Sequence, residues 1–334
     1  MNNIPLALCT EQGIPVFNTP GANANAVKEL VAAAMLLACR DIVGGITFAQ
    51  SQDPSMAATD MSALMEREKK RFAGAELAGK TLGVVGLGSI GSLVARLGLD
   101  FDMDVVGFDP ALSVEAAWRL PSEVQRMENV QSLVNRSDFI SLHLPVLDST
   151  RGLVNAEMLS HFKSGSCLLN FAREEIVSTE AVVGALDSGL LGRYVTDFPN
   201  PLLLGRDDAL LMPHIGASTA EAEENCAVMA ANQLRGFLEH GNIRNSVNFP
   251  AIELERTTEY RITISNRNEP GMLSHILTLI GDDGLNVADL LNKSVGDIAY
   301  NIIDLDELPP QAVLDKISGL EGVINLRLIE GEPT

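Results

Sequence analysis

The chain is short of positive charge: 24 Lys and Arg stand against 44 Asp and Glu in 334 residues, a formal net charge of −20. With aromatic residues also down to 4%, that balance argues against nucleic acid or an anionic membrane as the main partner. An anionic small molecule would need a local Arg or Lys cluster working against the overall field. The four cysteines, Cys9, Cys39, Cys167 and Cys226, are scattered, with no CxxC pair and no histidine at metal spacing. Neither a disulfide framework nor a metal site is expected, and the thiols read as buried small apolar residues. No apolar run is long enough to span a bilayer, and the opening residues lack the basic and apolar regions of an export signal. The cytoplasm is the expected location, and the length predicts about two or three domains.

What is present centres on Thr81 to Asp109. Thr81-Leu82-Gly83-Val84-Val85 reads as a buried strand and runs into Gly86-Leu87-Gly88-Ser89-Ile90-Gly91. A helix follows with Leu93, Val94 and Leu97 on one face, then a second strand ending in Asp109. Gly86 permits a tight turn, Gly88 lets backbone approach a pyrophosphate, and Gly91 lets the helix pack close to the strand. Unpaired N–H groups at the helix start, around Ser89 and Ile90, then face the phosphates. Asp109, eighteen residues after Gly91, is placed to accept hydrogen bonds from the adenosine ribose and would repel a 2′-phosphate. The pattern predicts a Rossmann-type site for NAD rather than NADP.

Before this unit, Val16-Phe17 reads as a short strand and Asn23 to Asp41 as one long helix, with Asn23 or Asn25 as its cap. The polar composition from Gly44 to Lys80 suggests a surface connector. After Asp109 the spacing predicts strands at Phe139–Leu142, Ser166–Phe171, Arg193–Thr196 and Ala209–Met212, alternating with helical patterns. Such alternation implies a doubly wound parallel sheet, whose ligands bind beyond the carboxyl ends of the strands. His143, Arg173, Asp197 and His214 all stand at such ends. A long helix over Thr219 to His240 and a linker around Pro250 to Thr258 lead to a new βαββαβ rhythm from Tyr260, the order of a small ferredoxin-like domain.

Five stretches carry a closer likeness: Phe17 to Leu30, Gly86 to Gly91, His143-Leu144-Pro145, Asn170-Phe171-Ala172-Arg173, and Pro213-His214-Ile215-Gly216-Ala217-Ser218-Thr219. In that order they resemble the D-isomer-specific 2-hydroxyacid dehydrogenases, most nearly the phosphoglycerate-oxidising branch. The tail, with Asn268-Glu269-Pro270-Gly271 and Asn286-Val287, resembles an ACT domain. The resemblance implies four segments: residues 1–22 as the remnant of a flavodoxin-like substrate domain, 23–213 as the NAD-binding domain, 214–250 as a crossover helix returning to the substrate domain, and 257–334 as the ACT domain. The first part of the substrate domain is expected to be missing.

The implied reaction is NAD-dependent oxidation of a D-2-hydroxy acid, with 3-phosphoglycerate as the expected substrate in serine biosynthesis. His214 is the expected base, since an imidazole titrates near neutral pH, and Arg173 would hold the substrate carboxylate. Asp197 would meet the nicotinamide carboxamide, while His143, Pro145, Thr150 and Ala172 would line the cofactor cleft. Asn268 and Asn286 are the expected contacts for an L-serine effector, and the chain is expected to form a homodimer or homotetramer. Two residues depart from the family pattern. Glu174 follows Arg173 where glycine is usual, and Pro201 stands near the place of the glutamate that partners the catalytic imidazole. They open a second reading, an NAD-binding, amino-acid-sensing homologue with impaired catalysis. Another D-2-hydroxy acid as substrate is a third.

Overall fold

Seven short strands order the larger part of the chain, because apolar β-branched runs separated by glycine and polar turns pair most readily in parallel with helices between them. The computed structural model describes residues 3–331, so Met1, Asn2 and residues 332–334 of the expected domains lie outside the described residues. The chain divides into two compact units, Asn23–Glu223 and a second made of the N-terminal residues up to Ala22 together with Glu224 onward.

In the first unit the strands are β1 Thr81–Val85, β2 Asp104–Phe108, β3 Gln125–Arg126, β4 Phe139–Leu142, β5 Ser166–Asn170, β6 Leu191–Thr196 and β7 Ala209–Leu211. They lie in the order β3-β2-β1-β4-β5-β6-β7, every pair parallel. The chain reverses its direction of travel across the sheet between β1 and β4, where a crevice opens. Alternate side chains feed two cores: Leu82 and Val84 enter the one shared with Val31 and Met35, and Val85 enters the one shared with Ile140 and Leu168. The helix Ala24–Cys39 covers one face through Val27, Val31, Ala34 and Met35.

Several expectations need correction. Asn23 does occupy the N-cap, but its side chain caps nothing, and the Asn25 amide bonds Glu29 instead. The stretch from Gly44 to Lys80 is no mere connector: it holds the end of helix Ile42–Gln50, capped by Asp41, and the helix Ala58–Glu68. Phe48 and Phe72 meet there at 5.5 Å between ring centres, with the Arg71 guanidinium over both rings. Only Cys167 is buried; Cys9, Cys39 and Cys226 are half-buried. Phe17 makes a single antiparallel bridge to Ser246 rather than a strand. No single helix among the described residues is long and apolar enough to cross a membrane.

The second unit contains a four-stranded antiparallel sheet, β8 Tyr260–Arg267, β9 Val287–Val295, β10 Ile298–Leu305 and β11 Val323–Glu330, in the order β11-β8-β10-β9. With the helices Met272–Asp282 and Gln311–Ser318 in between, this is the expected βαββαβ arrangement. Ile262, Ile264, Ile303 and Leu305 pack on those two helices. Ile298, Tyr300 and Ile302 form a separate core with Ile243, Phe249 and Ile252, so the opposite face is also covered. Arg261 and Asp304, both 0% exposed, pair beneath that cover, and Arg261 also donates to the carbonyls of His240, Leu254 and Glu255.

Candidate active site

The carboxyl ends of the parallel strands carry the chemistry-bearing residues in spatial order: Asp109 after β2, Gly86 after β1, His143 after β4, Arg173 after β5, Asp197 after β6 and His214 after β7. Adjacent strands are about 4.8 Å apart, so this edge presents a polar row long enough for an extended dinucleotide.

At its centre Gly86 has φ of +91°, and a Cβ there would stand 2.4 Å from the carbonyl oxygen of His143. A Cβ at Gly91 would come within 1.8 Å of the Gly86 carbonyl, whereas one at Gly88 would meet open space. Close packing therefore needs the first and third glycines, and the second borders a gap through which a pyrophosphate can pass. Among the described residues no side chain caps the helix Ser89–Asp100 at Gly88, which leaves its first N–H groups for an anion. Asp109 accepts hydrogen bonds from Leu87 N at 2.8 Å and Ala111 N at 2.9 Å, so the acid fixes the glycine loop. These features fit NAD.

His143 sits where β4 ends. Its Nε2 is 2.8 Å from Ser141 Oγ, and its Nδ1 is shut off from solvent with no partner among the described residues. Burial pushes this imidazole down to about 3 from its usual 6.5. In the folded chain His143 therefore stays neutral, while in the unfolded chain it takes a proton below about pH 6.5. Its contribution is whole above that pH and is lost as pH falls towards 3, by up to about 1.4 kcal/mol per unit. Urea unfolding at pH 7, 5.5 and 4.5 should show a shallower acid loss in His143→Gln than in the parent chain; equal slopes would contradict a neutral buried ring. Thr150 closes the next loop, its Oγ1 donating to Pro145 O at 2.6 Å and accepting from Leu147 N at 2.8 Å.

The other end of the row is held by Asn170, which carried no role in the sequence, and by Asp197. Buried Asn170 accepts from Ala172 N and donates to Arg173 O at 3.0 Å, shaping the turn that presents Arg173. Arg173 is exposed, with one guanidinium nitrogen on Ala172 O at 2.7 Å. Among the described residues it forms no ion pair with Glu174, which opens a 3-10 turn. Asp197 is buried and spends both carboxylate oxygens on backbone, accepting from Ile215 N at 2.8 Å and Gly216 N at 2.7 Å. That clamp holds the residue before it, His214, at φ of +57°, a left-handed conformation costly for a side chain with a Cβ. The exposed His214 ring lies 4.9 Å from the Phe198 ring centre, and no carboxylate among the described residues lies within 4 Å of its nitrogens. Pro201 starts a 3-10 turn capped by Asn200. Asn268 and Asn286 belong to the other unit, where their amides bond Gly296 O and Asp306 Oδ2.

The cleft edge beyond Asp109 carries no motif in the sequence. There a cavity of about 930 Å³ is bordered by Leu112, Val114, Trp118 and Met127. The only signal for it in the sequence is the group of apolar residues Leu112, Val114, Trp118 and Leu120 between Pro110 and Pro121.

Comparison with known proteins agrees with this geometry. The profile of the D-isomer specific 2-hydroxyacid dehydrogenase NAD-binding domain matches residues 33–216. D-3-phosphoglycerate dehydrogenase of Haemophilus influenzae is 30% identical over 341 aligned positions, covering 98% of this chain and 78% of that protein. The Escherichia coli K12 protein of the same name is 31% identical, covering 98% and 79%. In fold alone, D-mandelate dehydrogenase of Rhodotorula graminis superposes with a TM-score of 0.63 at 24% identity, over 73% of this chain and 71% of that one. The chain belongs to the D-isomer-specific 2-hydroxyacid dehydrogenases and is an NAD-dependent enzyme.

Proposed function

We propose that this dehydrogenase oxidises 3-phosphoglycerate to 3-phosphohydroxypyruvate, the entry to serine biosynthesis. The observation that carries the reading is the Asp197 clamp, which aims His214 from the same sheet edge as Arg173, with one strand between theirs. Arg173 binds the substrate carboxylate and polarises the carbonyl as it forms. His214 takes the hydroxyl proton on a ring nitrogen; the hydrogen on the carbon bearing that hydroxyl leaves as hydride, for which NAD, when bound, would supply the acceptor. Ala172, Pro145, Thr150 and His143 shape the wall along the cofactor. The names of the relatives aligned over almost the whole chain support phosphoglycerate among the D-2-hydroxy acids.

Residues 3–22 and 214–250 correspond in this reading to substrate-domain sequence, and the βαββαβ sheet from Tyr260 to an ACT-type regulatory domain. Asn268 and Asn286 keep their amide oxygens for the ammonium of L-serine. Leu36, Ile42, Val43 and Ile46, all exposed, supply an apolar surface for homodimer formation.

A second reading is favoured by His214 itself, which touches Phe198 rather than a carboxylate. A base without a carboxylate to orient its ring is poorly placed for proton transfer, and such a chain would bind NAD and sense an amino acid without turning over. NADH formation with 3-phosphoglycerate, against lactate and glycerate and with L-serine added, separates the readings. Turnover preferring 3-phosphoglycerate and slowed by serine is expected; cofactor binding without turnover on any acid would leave only the sensing role.

A further inference from the structure

We propose that Trp118 stacks on the adenine ring of bound NAD and sets how tightly this chain holds its cofactor. The inference rests on NAD binding and not on which hydroxy acid is oxidised.

Trp118 is the only tryptophan in the chain and is 85% exposed. It lies on the short helix Val114–Arg119, whose start is capped by Ser113 Oγ accepting from Ala116 N at 3.1 Å. Val114, one helical turn earlier and so on the same face, is 75% exposed. Two large apolar side chains side by side in water are an unfavourable arrangement unless something covers them. Both line the 930 Å³ cavity whose other border is Leu87 and Asp109.

That continuity identifies the occupant. The pyrophosphate belongs at the Gly86 to Gly91 loop, and Asp109 faces the ribose position next to it. The base carried by that ribose has to continue away from the loop, past the end of β2. The cavity that Asp109 borders at the end of β2 is also lined by Leu112, Val114, Trp118 and Pro121. An indole offers a flat π face that any purine can stack on, and such stacking strengthens binding by about ten- to a hundredfold. A base between Trp118 and the opposite wall would remove from water the apolar surface that is exposed without it.

Because Trp118 is the sole tryptophan, intrinsic fluorescence reads its surroundings alone. The full chain is titrated with NAD, AMP and nicotinamide mononucleotide, following emission and, in parallel, heat of binding. NAD and AMP, which carry adenine, should quench and shift the emission; nicotinamide mononucleotide, which lacks it, should leave emission unchanged. By calorimetry Trp118→Ala should raise the Kd for NAD at least tenfold, and Trp118→Phe should recover most of the loss. NAD binding with silent emission, or an unaltered Kd in Trp118→Ala, would overturn the stacking and leave the cofactor assignment standing. No heat with NAD at all would overturn both.

Discussion

Replacing His214 with asparagine should lower kcat by about a hundred- to ten-thousandfold, the usual cost of losing a positioned general base. The Kd for NAD should stay within about twofold, because the glycine loop and Asp109 are four or more strands away along the sheet order. The backbone at this position prefers glycine or asparagine, since φ is +57°. Asparagine therefore preserves the turn while removing the imidazole, and a fall in rate cannot be assigned to a distorted loop. Initial NADH rates at saturating NAD, together with calorimetric cofactor binding, make the test. An undiminished kcat would place the base elsewhere. Loss of NAD binding alongside rate would mean that the loop had collapsed in spite of the choice of residue.

The largest stability effect is expected at Asp304. Its carboxylate receives Arg261 Nε at 2.5 Å and Nη2 at 2.8 Å, with both residues fully buried. Asp304→Ala leaves a guanidinium without its counter-charge in a site closed to water, a loss of about 3–5 kcal/mol. Replacing both partners with apolar residues of similar volume, Arg261→Met with Asp304→Leu, should recover much of that loss, because desolvation of the pair offsets most of its attraction. Some deficit should persist in the double variant, because the carbonyls of Leu254 and Glu255 lose their donor. Denaturant midpoints of the three variants decide it. A loss in the double variant as large as in Asp304→Ala would show that the carbonyl contacts outweigh the ion pair.

The parts that could be read from sequence were those whose chemistry is local. The glycine loop works through consecutive residues and a fixed distance to Asp109, so spacing alone described the turn that Gly86 and Gly91 impose. The strand Ile298–Leu305 and the helix Met272–Asp282 take their places in the βαββαβ order read from Tyr260 onward, since each is one apolar run between glycine or acidic turns. Helix Ile42–Gln50 is not legible in sequence because Gly44 and Gly45 sit inside it, where propensity argues for a break; the Asp41 cap and the Phe48 contact with Phe72 compensate. The short helix bearing Trp118 has too few residues to show a period. At the candidate site the strand-end residues were readable, whereas the clamp of Asp197 on Ile215 and Gly216 joins positions eighteen and nineteen residues apart. No pattern of local spacing reveals such a bond. The same holds for Phe198 against His214, a contact visible only after β6 and β7 are paired.

The second unit draws on both ends of the chain: Asn248 donates to the Ile14 carbonyl, 234 residues away, and accepts from Val16 N. Holding those partners together closes a loop whose entropic cost is about 5 kcal/mol on a flexible-chain estimate. The unit Asn23–Glu223 is contiguous and needs no such closure. Once that unit has folded, the intervening segment is compact rather than a free coil, and the closure becomes less costly. During synthesis Ile14 and Val16 are made more than two hundred residues before Asn248, so their bonds to it form only after the whole Asn23–Glu223 segment has been added.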